Sequence, residues 1–190
     1  MTQKISVILP FSGSFLDYPD NESPAVVAYV CGCEQTCPEC HNPALKHRES
    51  GTEMKEAEFE FRIYSELYRC KTNKLVISGG DPLHPGNINV IKNFLLKNQH
   101  KIDICIYTGY NIEYVKRHSI TGYKFIKCGT YDEKLKQLSE KTDKRMVLSS
   151  ANQKLYNSDA HQISKQGIFY FGDISWIEKL KVYVNRLIHK

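Results

Sequence analysis

Three cysteines, Cys33, Cys37 and Cys40, stand at C-x3-C-x2-C spacing inside the stretch Cys31 to Pro43, which reads C-G-C-E-Q-T-C-P-E-C-H-N-P. A loop this short can turn three thiolates onto one face of an iron–sulfur cube. A 4Fe–4S cluster normally takes four Cys ligands, so a loop offering three leaves one iron open to something other than protein. Cys31 lies two residues upstream of the first of them. In an extended segment residues i and i+2 point the same way, so a ligating Cys31 would close that iron; the expectation is that Cys31 is a small buried residue instead. Zinc is the competing metal. Its sites commonly combine two C-x2-C-type pairs some distance apart, whereas here the four clustered cysteines are followed by no second pair.

Other groups with chemical potential recur at strand ends. Ser78-Gly-Gly-Asp-Pro-Leu-His-Pro85, Tyr107-Thr-Gly-Tyr110, Lys127-Cys-Gly-Thr130 and Ser149-Ser-Ala-Asn-Gln153 each follow an apolar run. Gly79 and Gly80 would let the chain approach a ligand with no Cβ in the way, or form an ordinary turn with Asp81 and Pro82. Asn42 is placed to pin its loop through backbone hydrogen bonds. Asn152 and Gln153 either line a cavity or make a polar turn.

The elements that must position these groups read as follows. Ile5–Leu9 is an opening strand ended by Pro10, and residues 12–24 have loop chemistry. Residues 26–30 are continuously apolar, as in a strand buried on both faces. Residues 53–69 carry Phe59, Ile63 and Leu67 on one helical stripe. Strands at 75–77, 102–107, 123–127 and 146–148 alternate with helices at 90–96 and 112–118. Alternation of this kind predicts βαβ units and a parallel sheet, which bind ligands beyond the C-terminal ends of their strands. At the tail, Ser175 to Glu178 has capping-box spacing and opens a helix with Trp176, Leu180, Val184 and Leu187 on one side.

With 190 residues the chain is expected to be a single domain, 1–190, with a core of about 26–157 and an extension over 158–190. Its 41% hydrophobic and 25% charged residues are those of an ordinary soluble protein. No stretch approaches the roughly 20 apolar residues of a membrane span, and the first residues lack the character of a signal peptide, so a cytoplasmic protein is expected. Seven cysteines, four of them clustered and Cys70, Cys105 and Cys128 scattered, do not form a disulfide framework. The net charge of +5 comes from dispersed lysines, the pattern of a solvated surface rather than a nucleic-acid-binding patch.

The cluster loop, closed by Cys40-His-Asn-Pro43, resembles that of the radical S-adenosylmethionine (radical SAM) enzymes, and the Gly-Gly-Asp-Pro segment resembles their Gly-Gly motif. With Thr108-Gly-Tyr110 and Ser149 to Gln153 in the same order, residues 26–157 are most similar to the activating proteins of anaerobic (class III) ribonucleotide reductase. That resemblance implies an α/β fold, a partial, open parallel (β/α) barrel of radical SAM type, here followed by a C-terminal helix. It implies a 4Fe–4S cluster on Cys33, Cys37 and Cys40, whose open iron is chelated by the amino and carboxylate groups of S-adenosylmethionine. The cluster would cleave that nucleotide reductively, and a hydrogen atom would be taken from a glycine of the reductase large chain. Flavodoxin or ferredoxin would be the electron donor, with neither nucleic acid nor membrane as partner. His41 would lie near the adenine and Asp81 would accept from the SAM amino group. Thr108 and Tyr110 would touch carboxylate or ribose, and Lys127 would supply a cation for the carboxylate. Two departures bear on the partner. The Gly-Pro-Gly-x-Arg segment usual before the first strand is replaced by Tyr18 to Pro24, and an Asp-Gly-Lys by Cys128-Gly-Thr130. They keep open a different glycyl-radical enzyme or a peptide as target. A non-catalytic zinc or iron–sulfur electron-transfer module is the alternative from another class.

Overall fold

A computed structural model describes residues 3–20 and 24–171. The strands are β1 (Lys4–Val7), β2 (Ser12–Ser14), β3 (Ala25–Val30), β4 (Thr52–Lys55), β5 (Lys74–Gly79), β6 (Asp103–Tyr107), β7 (Phe125–Cys128), β8 (Glu140–Lys141), β9 (Arg145–Val147), β10 (Lys154–Asn157) and β11 (Ile168–Tyr170). The helices are α1 (Glu56–Arg69), α2 (Ile88–Asn98) and α3 (Ile112–Arg117). Short 3-10 turns cover Pro43–Lys46, Arg48–Ser50 and Glu133–Leu135.

The parallel sheet expected from the alternating pattern is present as β3–β5–β6–β7, joined through α1, α2 and α3. Antiparallel strands extend it on both flanks: β1 and then β4 beyond β3, and β10 beyond β7. β2 also pairs with β3. The sheet is therefore mixed and open, with β4 and β10 as its outer strands. β11, β9 and β8 form a separate three-stranded antiparallel sheet.

Strand side chains alternate between faces, and both faces of the parallel strands are covered. Ala28, Ile77, Ile104 and Ile126 face a core completed by Phe59, Ile63 and Leu67 of α1 and by Val90, Ile91 and Phe94 of α2. Val27, Val76, Cys105, Phe125 and Leu155 face a second core closed by Tyr18 and Phe169. This explains the unbroken apolar runs of β3 and β5. A strand buried on one side alone would alternate with polar residues.

The stripe Phe59, Ile63 and Leu67 is buried as its spacing predicts, but the helix starts at Glu56 rather than at residue 53. Met54 is taken into β4 opposite Ile5 and is buried there. β2, inside the expected loop at 12–24, is made of Ser-Gly-Ser and exists because β3 pairs with it. The tail helix with Trp176, Leu180, Val184 and Leu187 lies outside the described residues. Among the described residues no helix is long and apolar enough to cross a membrane.

Phe59 sits between two rings, 6.0 Å from Phe11 and 5.3 Å from Phe94 by centroid, and is fully buried. Phe59→Ala is expected to cost about 3–5 kcal/mol, measured by denaturant unfolding, with an unchanged m-value showing that the denatured state is not the cause.

Candidate functional site

The loops after β3, β5, β6 and β7 meet at one rim of the sheet and enclose a cleft of about 380 Å3. Its wall contains Cys33, Cys37, Cys40, His41 and Asn42 from the first loop, Gly79, Gly80 and Asp81 from the second, and Thr108 and Lys127 from the third and fourth. Gln153 also reaches it. Tyr110 does not; its ring stacks on Tyr114 at 3.9 Å. Asn152 is likewise outside the wall, donating to the Thr130 carbonyl.

The cysteine loop is held by backbone. Cys31 N–H donates to Ser6 O, Gly32 N–H to Leu45 O and Cys33 N–H to Lys46 O. The turn after β5 then clasps it: Gly80 N–H donates to Val30 O, and Asp81 N–H to Gly32 O, both at 2.8 Å. A Cβ on Gly80 would lie 2.5 Å from Leu45 O and 2.7 Å from Gly32 O. Gly79 has φ +115, and a Cβ there would run into the Val30 carbonyl and amide. The close approach that demands glycine at 79 and 80 is thus to the chain itself. The sequence left a ligand and an ordinary turn as alternatives; this contact with the chain escaped it because β3 and its loop, out to Leu45, lie 35 or more residues upstream of Gly80 and nothing local marks them as neighbours.

Asp81 is 1% exposed, and its carboxylate is spoken for. One oxygen accepts from Leu83 N–H at 2.9 Å and from the Thr108 hydroxyl at 2.8 Å; the other accepts from Gly109 N–H at 2.9 Å. Asp81 therefore ties the β5 loop to the β6 loop, and the Thr108 hydroxyl, facing Asp81, is part of that tie. Burial raises the Asp81 carboxyl to about 6, against the pull of these hydrogen bonds and of Lys127. Asn87 is fully buried and sits at the start of α2 without capping it. Its amide donates to Cys31 O at 2.9 Å and to Asp81 O at 3.3 Å, while Arg48 donates to its oxygen at 2.5 Å. Asn87 and Arg48 were not found from sequence. An Asn before an apolar helix reads as an N-cap, and only the fold turns it across the site.

All three wall cysteines are free thiols. Burial is the leading cause of a raised Cys33 thiol, partly offset by the Gln35 N–H that donates to its sulfur at 3.4 Å. Cys31 is fully buried, close to Gly51 and outside the cleft wall. Lys127 is partly buried, its ammonium 4.9 Å from the Tyr107 ring centroid. Burial lowers it, against the pull of Asp81 and the thiols around it. His41 packs against Tyr131 with centroids 4.4 Å apart and ring planes tilted by 49°, so two rings line the cleft beside Cys40; the sequence did not single out Tyr131. Among the described residues no three His, Cys, Asp or Glu side chains are already drawn together around a metal position. The donor set nevertheless fits an iron–sulfur group: three soft thiolate ligands on one wall, with a side-chain-free Gly-Gly turn beside them.

Comparison with known proteins agrees with this chemistry. A profile described as "4Fe-4S single cluster domain" matches residues 24–156. Three similar proteins are each called anaerobic ribonucleoside-triphosphate reductase-activating protein. That of Pasteurella multocida is 30% identical over 109 residues, 55% of this chain and 68% of the relative. That of Escherichia coli K12 is 33% identical over 90 residues, 45% of this chain and 58% of the relative. That of phage T4 is 27% identical over 146 residues, 75% of this chain and 89% of the relative.

Asp81→Ala leaves Leu83 N–H, Thr108 Oγ1 and Gly109 N–H without their acceptor. At about 1–3 kcal/mol for a buried unsatisfied group, a loss of roughly 3 kcal/mol or more is expected in denaturant unfolding, and a smaller loss for Asp81→Asn. The folded carboxyl titrates higher than the unfolded one, so its contribution to stability is complete below about pH 4. That contribution declines as pH rises through about 6. Carbon-13 NMR of the Asp81 carboxyl should show a midpoint near 6; one near 4 would place the group in contact with solvent.

Proposed function

The chain belongs to the 4Fe–4S single cluster domain family, and on that premise we propose that it is an iron–sulfur activating enzyme of anaerobic ribonucleotide reductase. In this reading Cys33, Cys37 and Cys40 hold the cluster, S-adenosylmethionine occupies the adjoining cleft, and a glycine of the reductase large chain is the substrate. The observation that carries it is the wall itself: three thiols and a Gly-Gly turn face one cleft, and the fourth clustered cysteine, Cys31, faces away from it. When bound, the cluster supplies a low-potential electron for reductive cleavage of the sulfonium, and with it the means to take hydrogen from a glycine Cα.

The chain's own residues bind, orient and shield. Each cysteine must lose its proton to ligate, and burial of Cys33 opposes this until a cation is present; metal binding and proton release are therefore coupled. Lys127, partly buried on the same wall, supplies positive charge for the carboxylate of S-adenosylmethionine. His41 and Tyr131 offer the aromatic surface for its adenine. With the Asp81 carboxylate taken up by three internal bonds, its part is positioning: it fixes the Gly79–Gly80 backbone against the cysteine loop, leaving that backbone to meet the amino group. The open sheet is read as the partial barrel of radical SAM type, with its unclosed side admitting the partner's glycine loop. A flavodoxin or ferredoxin would deliver the electron. The replaced segment at Tyr18 to Pro24 supports one second reading, in which another glycyl-radical enzyme or a peptide is the target.

Reconstituted without oxygen, the wild-type chain is expected to hold about four irons. Cys33→Ser, Cys37→Ser and Cys40→Ser should each abolish the cluster's visible absorption, whereas Cys31→Ala should retain it. Loss of the cluster in Cys31→Ala would mean that the chain closes the fourth position and leaves no seat for the nucleotide. Dithionite and S-adenosylmethionine should yield 5′-deoxyadenosine with the loaded protein. Adding the reductase should give a glycyl-radical EPR doublet; release of the nucleoside without the doublet would assign a different target.

A further inference from the structure

We propose that Lys141 is a carboxylate-binding residue at the inner end of the cleft. Lys141 lies on β8, the edge strand of the small sheet, and forms part of the cleft wall. Its side chain is 7% exposed, and among the described residues its ammonium has no hydrogen-bond partner. Among the described residues the carboxylate within reach of it is that of Asp20, at 4.0 Å. Asp20 lies much closer to Lys74, at 2.5 Å, whose side chain is itself 6% exposed. Two buried ammoniums thus lie beside the Asp20 carboxylate, with Asp17 contributing more weakly and burial the largest influence on Lys141.

A buried ammonium that has given up water without gaining an acceptor is costly. Surface lysines of this chain avoid the cost: Lys97 and Lys124 are about half exposed and bonded to Glu60 and Asp103. At Lys141 the missing partner is an anionic acceptor, and a carboxylate docked there would complete a charge-assisted hydrogen bond. The site is distinct from the end that holds the thiols. Lys74, which shares Asp20 with Lys141, opens β5, whereas the Gly79–Gly80 turn beside the cysteines closes it, about 16 Å away along the strand. A molecule anchored at the cysteines therefore presents a different end to Lys141.

Two sources can bring that carboxylate, and both rest on the function proposed above: an acidic side chain of the incoming polypeptide, which the distance favours, or the cosubstrate. Acetate serves as a probe independent of either. Saturation-transfer-difference NMR at fixed ionic strength should show acetate contact with the wild type and a several-fold weaker signal with Lys141→Met. Because the variant removes an unpartnered charge, its Tm should be equal to or higher than wild type. Equal acetate signals, or none with the wild type, overturn the proposal, and a lowered Tm alongside them assigns Lys141 to pairing with Asp20. Titrations of cluster-loaded protein then separate the sources. A tenfold loss of affinity for the reductase alone in Lys141→Met identifies the polypeptide, and a tenfold loss for S-adenosylmethionine identifies the cosubstrate. Wild-type protein that binds neither refutes the proposed function, while the acetate signal still decides Lys141.

Discussion

The site depends on one contact without side chains: the Gly79–Gly80 turn lying flat against Val30, Gly32 and Leu45. Two loops from parallel neighbours, β3 and β5, are brought so close that a single methyl group would collide with backbone oxygen on the other loop. Everything that follows β3 inherits its position from this clasp. Gly32 and Cys33 are tied to Leu45 and Lys46 on one side, and Asp81 reaches Gly32 on the other. The cysteine loop is therefore held at both ends while its thiols remain free on the cleft side.

A clasp made only of backbone would slide if polar side chains did not lock it. Asp81 and Asn87 do this from beneath, out of reach of water. Asp81 gathers three donors from the β5 and β6 loops; Asn87 spans the carbonyls of Cys31 and Asp81. Hydrogen bonds of this kind gain strength in a low dielectric, and an unsatisfied member costs more there as well. The burial that raises the Asp81 carboxyl is thus the counterpart of a rigid junction between three loops. Stability is surrendered to fix the backbone on which the cysteine loop rests.

Much of this was legible in the residues. The parallel strands announced themselves as apolar runs because both of their faces are covered, and Phe59, Ile63 and Leu67 repeated at helical spacing because α1 covers one of those faces. What escaped was set by partners distant in sequence. β2 and β4 are polar or mixed segments that become strands through β3 and β1, and β10 becomes one through β7. The contacts that Gly79, Gly80 and Asp81 make within the chain, and the part played by Asn87, escaped for the same reason. Local spacing identifies which residues are unusual; which atoms they serve is decided by the fold.

That distinction also orders the cleft. At the rim, Asp81, Thr108 and Asn87 are taken up by internal hydrogen bonds, and the thiols face the cleft. At the inner end the balance differs, since Asp20 faces Lys74 and Lys141 together. Asp81 is met by three donors, whereas Lys141, also buried, is left without an acceptor among the described residues. Desolvation penalises both, so burial alone does not explain the contrast. The difference lies in what each group serves: the Asp81 bonds hold the chain's own loops together, whereas on the proposal above the acceptor for Lys141 comes from the molecule that enters.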